Sequence, residues 1–295
     1  MAILPYLRLT RPANLLTSVS DIWAGAAISG VLSTAMLSAS LVRSLAWLSL
    51  AAIFLYAGGV VMNDVCDADL DATERPERPI PSGKVSRKNA TLWGISLLVA
   101  GIVSAGLHSM LSALIALGVA ITALLYDRWG KHQSFFGPVN MGLCRGFNLW
   151  LGMSILSTSI LASGWVAIVP VLYIAAITLI SRGEVHGGSR TSLRIAFVFY
   201  GIVVLLIAGA ALLKDRILEA LPFLAIFLIM VLPPLSKAFK NPTGPLIGRA
   251  VKLGVLSLIL LNASWAAAGA GFPWAIATAL LLPLSLLIAK FFAVT

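Results

Sequence analysis

Six of the eleven acidic residues of this chain fall within one short segment, NDVCDADLDATERPER, which begins at Asn63 and directly follows an apolar run. If the segment continues the helix predicted for that run, Asn63, Asp67 and Asp71 recur at every fourth residue, and Asp64 joins the same face. Asp69 points elsewhere. The pattern predicts a polar face of about two helical turns at the end of an apolar helix.

Such a face is typical of a site for Mg²⁺ and phosphate. Like charges at these spacings destabilise a helix by a few tenths of a kcal/mol per pair, so a bound cation is the simplest explanation. Mg²⁺ prefers oxygen ligands and is usually held by one or two carboxylates together with substrate phosphates. The prolines of the following ERPERPIPSG end the helix, and Arg75, Arg78 and Lys84 supply cations beside the acids. A solvated acidic loop is the alternative, but it leaves the clustering of acids unexplained.

The elements that must position these residues are membrane-spanning helices. The chain is 59% hydrophobic and 11% charged, against about 45–50% apolar and about 25% charged in soluble domains. We predict an all-α, polytopic membrane helix bundle in a single domain, residues 1–295, with nine to ten transmembrane helices, depending on whether the last two merge. The predicted spans lie near residues 14–33, 43–62, 90–107, 110–126, 135–157, 162–181, 193–213, 218–236, 248–270 and 272–292.

The distribution of basic residues predicts the orientation of the bundle. The net charge is +10, but the basic residues occupy alternate loops rather than one patch, which disfavours a nucleic-acid partner. Only Arg43, Lys214 and Arg216 fall in the opposite set of loops. By the positive-inside rule, the cytoplasmic segments are the N-terminus and the loops 63–89, 127–134, 182–192 and 237–247.

The acidic segment resembles the first aspartate-rich motif of the UbiA superfamily of intramembrane prenyltransferases. The likeness lies in Asn63-Asp64-x-x-Asp67-x-x-x-Asp71, followed by RPERPIPSG. It extends along most of the chain, and the further segments that resemble the family are TRPAN with Asn14, YDRWGK with Tyr126 and Lys131, and GLCRGFN with Arg145 and Asn148.

The resemblance implies an activity and a set of roles. Members of the family bind an isoprenyl diphosphate through Mg²⁺ at two acidic motifs, ionise it within the membrane, and join the allylic cation to an acceptor, here an unidentified aromatic or polar small molecule. The four residues of the first motif would hold the first Mg²⁺, and Tyr126 would order the phosphate or shield the carbocation. Arg78, Lys84 and Lys131 would bind the diphosphate. Charge that builds on a departing diphosphate is stabilised most by metals and preplaced cations.

The second motif departs from the family pattern. The family usually offers two aspartates in the loop after the sixth span, whereas this loop reads LISRGEVHGGSRTSL. When this loop is aligned with the second motif of the family, Glu184 is the only carboxylate that remains. Either Glu184 ligates a second Mg²⁺ while Arg182 and Arg190 bind phosphate oxygens in place of lost metal charge, or the site binds a phosphorylated molecule without the usual transfer. His186 is a candidate base for the proton that the prenyl acceptor releases.

The SRGEVHGG block also resembles a subgroup of UbiA-like proteins called EboC, found in bacterial gene clusters. This likeness implies the bacterial cytoplasmic (inner) membrane as the location of the multi-pass protein, whose N-terminus is predicted to be cytoplasmic from the basic loops. It does not fix a substrate.

Polar residues inside the predicted spans are further candidates for the substrate chamber. Asp21 lies in the first span, where an ionisable group costs about 2.5–3.5 kcal/mol at the bilayer centre. Together with Asn14 it is expected to line the acceptor side of the chamber or, alternatively, to make an interhelical hydrogen bond. Arg145 and Asn148 share one face of the fifth span. Arg145 can pair with Asp21, Glu184 or a substrate anion, and we expect the substrate.

Two functions therefore compete. The leading one is a Mg²⁺-dependent prenyltransferase that uses an isoprenyl diphosphate within membrane lipid. The other is a non-catalytic carrier or complex partner that binds an isoprenyl diphosphate or a lipid, favoured by the reduced second motif. A CDP-alcohol phosphotransferase is disfavoured because Asp67 is followed by ADLDATER, which lacks that chemistry's glycine and Ala-Arg pair. A transporter is disfavoured because the acids lie in a loop and not at the midplane.

Overall fold

The computed structural model describes residues 3–34, 38–184 and 187–292. In these ranges the protein is all-helical and contains no strand, as predicted. Two short 3₁₀ turns, Gly130–His132 and Gly164–Ala167, interrupt the succession of α-helices. The α-helices of the described residues are α1 (Leu4–Leu9), α2 (Pro12–Ile28), α3 (Val31–Thr34), α4 (Ala39–Cys66), α5 (Ala68–Glu74), α6 (Arg87–Gly106), α7 (Met110–Arg128), α8 (Phe136–Met153), α9 (Thr158–Ser163), α10 (Ile168–Ser181), α11 (Arg190–Leu213), α12 (Ile217–Lys240), α13 (Gly244–Ala270), α14 (Phe272–Ala279) and α15 (Leu281–Ile288).

Seven helical segments of the described chain are long and apolar enough to cross a membrane, namely α4, α6, α7, the run from α9 to α10, α11, α12 and α13. The other three predicted spans fall on α2, on α8 and on the pair α14 and α15, which are shorter or more polar. In α2 and α8 the polarity comes from buried residues such as Asp21 and Arg145. A multi-pass helical protein is thus supported, but the count of nine to ten spans is not confirmed.

Helices α2, α8 and α13 meet in close backbone contact. A Cβ atom added to Gly25 of α2 would lie 2.4 Å from the carbonyl oxygen of Leu149 in α8, and one added to Gly152 would lie 2.4 Å from the carbonyl oxygen of Ile22. Helix α13 reaches α2 in the same way at Gly269. Small residues allow transmembrane helices to approach each other this closely. These contacts bring the polar residues of α2 and α8 within reach of one another.

The loops predicted to be cytoplasmic meet at one end of the bundle. Arg182, after α10, donates from Nη2 to the carbonyl oxygen of Gln133, between α7 and α8, at 2.6 Å. The backbone N–H of Gly188 donates to the carbonyl oxygen of Pro242, between α12 and α13, at 3.1 Å. The acidic segment lies at the same end, because Arg75 is 3.9 Å from Glu184. The side of the membrane that this end faces remains a prediction.

Candidate functional site

A chamber of about 430 Å³ lies between α2, α4, α5, α7, α8, α10 and α13. Its polar lining includes Asn63 and Asp67, and its apolar lining includes Leu55, Val119 and Ile177. Leu55 precedes Asn63 by eight residues of α4, which is about 12 Å along a helix. The chamber therefore joins a charged end to an apolar interior.

The acidic segment divides between two helices. Helix α4 ends at Cys66 and α5 begins at Ala68, with Asp67 at the junction, where its φ is −90° and its ψ is 1°. The backbone N–H of Asp71 still donates to the carbonyl oxygen of Asp67 at 2.8 Å, so the helical spacing is kept. The side chain of Asp69 is 86% exposed and pairs with Arg87. Asp69 thus points away from the chamber, as predicted.

Two arginines contact the buried acids of this segment. Arg78 donates from Nη1 to Oδ2 of Asp71 at 2.6 Å and to Oδ1 of Asp64 at 3.3 Å. Arg11 donates from Nη2 to Oδ1 of Asp64 at 2.8 Å. Arg11 precedes α2 with a left-handed φ of 46°, which is uncommon for a residue other than glycine. Asp64 and Asp71 are buried, at 5% and 4% exposure, and both are compensated by cations.

The segment between α7 and α8 supplies further partners. Lys131 Nζ contacts Oδ1 of Asp67, and Tyr126 lines the chamber at the end of α7. Asp127, beside Tyr126, accepts a hydrogen bond from Nδ2 of Asn63 at 2.9 Å. Sequence reasoning missed Asp127 as a site residue. The signal was present, because Asp127 belongs to the same YDRWGK segment.

The chemistry of these donors fits Mg²⁺. Carboxylate oxygens and an amide oxygen are hard ligands of the kind that Mg²⁺ takes. In the ranges 3–34, 38–184 and 187–292, no group of three or more His, Cys, Asp or Glu side chains is arranged to hold a metal ion by itself. Oxygens of substrate phosphates would therefore have to complete the coordination of a Mg²⁺ ion bound by these side chains.

The second loop contributes Glu184 to the chamber. Its Oε1 is buried without a hydrogen-bond partner among the described residues, and its Oε2 lies 3.9 Å from Nη2 of Arg75. Burial raises the pKa of Glu184, and the charges of Arg75, Arg11 and Arg78 oppose that shift. Glu184 is thus the carboxylate that this loop brings toward the first motif.

Other residues predicted to bind the diphosphate lie elsewhere. Arg182 is exposed and donates to the carbonyl oxygens of Gln133 and Ser134, so its guanidinium ties two loops together. Lys84 and Arg190 are exposed. None of the three belongs to the chamber lining that the structure describes. The structure therefore places these side chains outside the described chamber lining, Lys84 after the proline turn and Arg190 at the start of α11, and their phosphate contacts stay predictions. His186 lies outside the described residues.

A buried polar network crosses between α2, α8 and α13. Arg145 donates from Nη1 to Oδ2 of Asp21 at 2.9 Å, and Asn148 donates to the same oxygen at 2.8 Å. Asn262 of α13 donates to Oδ1 of Asp21 at 2.7 Å. Asp21 is thus one of the three partners predicted for Arg145, and a contact of Arg145 with a substrate anion stays a prediction. Asn262 was missed, since nothing in the sequence ties it to Asp21.

The edge of this network reaches the chamber. Arg145, Asn148 and Asn14 all line it, and the guanidinium of Arg145 lies 5.4 Å from the ring centroid of Tyr56. Asp21 itself is fully buried, at 0% exposure. Asp21 therefore supports the chamber from behind and does not line it, contrary to the first of its two predicted roles.

The fold and the site together define a multi-pass helical membrane protein with a chamber that combines carboxylates, cations and an apolar wall. The UbiA prenyltransferase family model matches residues 22–240, and the chain belongs to that family. A curated relative, the digeranylgeranylglyceryl phosphate synthase of Methanoregula boonei, is 32% identical over 181 residues, which cover 61% of this chain and 60% of the relative. The chain spans about half the length of the first curated relatives it matches, from 43% to 60%.

Solved structures share the fold. A UbiA homologue from Aeropyrum pernix K1, in its apo form, has a TM-score of 0.68 at 15% identity, over 94% of this chain and 98% of that chain. A UbiA homologue from Archaeoglobus fulgidus bound to GPP and Mg²⁺ has a TM-score of 0.61 at 15% identity, over 93% of this chain and 99% of that chain. At these identities the likeness concerns the fold alone.

Proposed function

We propose that the protein transfers an isoprenyl group from an allylic isoprenyl diphosphate to an acceptor, with Mg²⁺, within the membrane. One observation carries the proposal: Asp67 and Asp71 lie beside Lys131 and Arg78 at the charged end of a chamber whose interior is apolar. An isoprenyl diphosphate has a matching division between a charged head and an apolar tail. The family assignment and the Mg²⁺ and GPP bound to the Archaeoglobus relative support the same proposal.

The four polar residues of the first motif would hold the metal, namely Asn63, Asp64, Asp67 and Asp71, with Glu184 as the ligand from the second loop. Bound Mg²⁺ supplies positive charge that stabilises the departing diphosphate. Arg78 and Lys131 add preplaced cations to the same group. Arg11 joins them as a third cation, because it already contacts Asp64.

The apolar part of the chamber accounts for the tail and the reactive cation. Its lining includes Val119, Ile177 and Val255. Such an apolar wall excludes water, which would otherwise react with the allylic cation. Tyr126 and Tyr56 also line the chamber, and aromatic faces stabilise a nearby cation. By excluding water, which competes with the acceptor for the allylic cation, the protein would direct that cation to the acceptor.

The acceptor is proposed to be a polar small molecule, and the name of the curated relatives favours a glyceryl phosphate derivative. Arg75 and Asn14, which line the chamber, are available for polar groups of such an acceptor. The Methanoregula, Aeropyrum and Archaeoglobus relatives are archaeal, so the EboC likeness and a bacterial inner membrane remain predictions.

The test is turnover by the purified protein in lipid vesicles. Allylic diphosphates of increasing chain length are supplied with Mg²⁺ and with either glyceryl phosphate derivatives or aromatic acceptors. Released diphosphate is quantified, and products are identified by mass spectrometry. A prenylated product that requires Mg²⁺ supports the proposal. Binding without diphosphate release under every combination contradicts it.

A second function is favoured by the second loop. Glu184 is its one carboxylate, and Arg182 is engaged with the backbone of another loop, so the loop offers less to a second metal than a pair of aspartates would. A protein with this loop that binds an isoprenyl diphosphate without transferring it would act as a carrier or complex partner. Mg²⁺-dependent binding without turnover, in the same vesicle experiment, is the result that this second function requires.

A further inference from the structure

Asp127 is a buried carboxylate that the roles above do not use. It is the next-to-last residue of α7, is 3% exposed, and belongs to the chamber lining. Its Oδ1 accepts the hydrogen bond from Nδ2 of Asn63 at 2.9 Å. Its Oδ2 is buried without a hydrogen-bond partner among the described residues.

The position of Asp127 is unfavourable for a negative charge. Removing a carboxylate from water is costly unless the group is paired, and the C-terminal end of a helix adds a partial negative charge of its own. The nearby cation, Lys131, contacts Asp67, and no described salt bridge involves Asp127. The hydrogen bond from Asn63 is therefore the main contact that the structure gives to this charge.

That hydrogen bond fixes the orientation of an amide. The NH₂ end of Asn63 faces Asp127 and donates to its Oδ1, and an ionised carboxylate, which only accepts, would keep the amide in this orientation. The carbonyl oxygen at the other end of the amide is then left for a ligand in the chamber, which Asn63 lines. Of the two ends, only the oxygen can coordinate Mg²⁺.

We propose that Asp127 is a positioning residue that holds the Asn63 amide with its carbonyl oxygen turned toward the metal. The proposal rests on the function proposed above, in which Asn63 is a metal ligand. Groups that orient metal ligands in this way typically change metal affinity by about 10–100-fold when they are removed. Asp127 acts through Asn63 and need not touch the metal or the substrate.

The experiment measures Mg²⁺ binding without turnover. Mg²⁺ is titrated by calorimetry into the purified protein in the presence of inorganic diphosphate. Asp127→Leu is expected to weaken Mg²⁺ binding by about 10–100-fold. Asp127→Asn is expected to stay within about threefold of the native protein, because its amide oxygen still accepts from Asn63. If Asp127→Leu does not fold, Asp127→Ala takes its place.

A double-mutant cycle shows whether the effect passes through Asn63. Asn63→Leu and the double variant Asn63→Leu/Asp127→Leu are expected to bind Mg²⁺ equally, within about twofold, since coupled residues are not additive. Full additivity would overturn the proposal. So would an Asp127→Asn variant as weak as Asp127→Leu, which would make the charge of Asp127 the important property. A native protein that binds Mg²⁺ in this pattern but transfers nothing would contradict the proposed function and leave this inference standing.

Discussion

The guanidinium of Arg78 donates to Oδ2 of Asp71 at 2.6 Å, so a proposed phosphate ligand contacts a proposed metal ligand directly. Lys131 and Asp67 form a second pair of this kind. Each cation uses one oxygen of its carboxylate, and a carboxylate offers two oxygens with about four lone-pair sites. A metal would therefore bind the sites that are left, with the two cations beside it where they can contact the phosphates.

Replacement of Arg78 by glutamine is expected to impair use of the allylic diphosphate. The variant loses a charge-assisted hydrogen bond to a group whose charge increases during the reaction, so kcat/KM should fall by about 10²-fold or more. Lys84→Gln is the matched control, because Lys84 is exposed and outside the described chamber lining. Steady-state kinetics that show equal losses for the two variants would refute the assignment of Arg78.

The affinity for Mg²⁺ is expected to depend on pH through Glu184. Burial raises the pKa of Glu184, and a metal binds the carboxylate in competition with the proton. As the pH falls through this raised pKa, the half-saturating Mg²⁺ concentration should rise, starting at a higher pH than for an ordinary glutamate near about 4.3. Glu184→Gln should flatten this part of the profile. Identical profiles for the two proteins would remove Glu184 from the metal site.

Loss of the Asp21 charge is expected to destabilise the bundle. Asp21→Asn leaves Arg145 as an uncompensated buried cation, and breaking a buried ion pair from one side costs about 3–5 kcal/mol. The double variant Asp21→Asn/Arg145→Gln should recover part of this loss, because neither charge remains. Thermal unfolding in detergent measures both variants. A double variant less stable than Asp21→Asn alone would contradict the pairing.

The close contact of α2 with α8 is expected to tolerate no side chain at Gly25. A Cβ there would lie 2.4 Å from the carbonyl oxygen of Leu149, so Gly25→Leu should separate the helices and lower stability by about 1–3 kcal/mol or more. Gly201→Ala is the control, because no atom lies within 4 Å of its added Cβ. If the two variants unfold at the same temperature, the packing of α2 on α8 is wrong.

Much of the acidic motif could be predicted from the sequence, because helical spacing determines which side chains share a face. That argument separates Asp69 from Asp67 and Asp71, and the structure keeps the same separation. All-helical membrane architecture also follows from apolar runs of the right length.

The missed features depend on tertiary packing. Asp127 and Asn63 are 64 residues apart, and Asn262 lies on a helix that only the folded bundle brings to Asp21. For Arg182, the residue type predicts a phosphate contact but does not determine the direction of the side chain. That direction is set by the turn after α10, which points the guanidinium toward the carbonyl oxygen of Gln133. Buried polar groups also lower the hydropathy of α2 and α8, which is why these two predicted spans are not among the seven long apolar segments of the described chain.

The most direct test of the central claim is diphosphate release from an allylic isoprenyl diphosphate by Asp67→Asn and Asp71→Asn variants, compared with the exposed control Asp69→Asn. Loss of a metal ligand should lower the rate of release by about 10²-fold or more at fixed Mg²⁺, whereas Asp69→Asn should keep the native rate. Native rates in the Asp67 and Asp71 variants would contradict the proposed metal site and the transfer mechanism built on it.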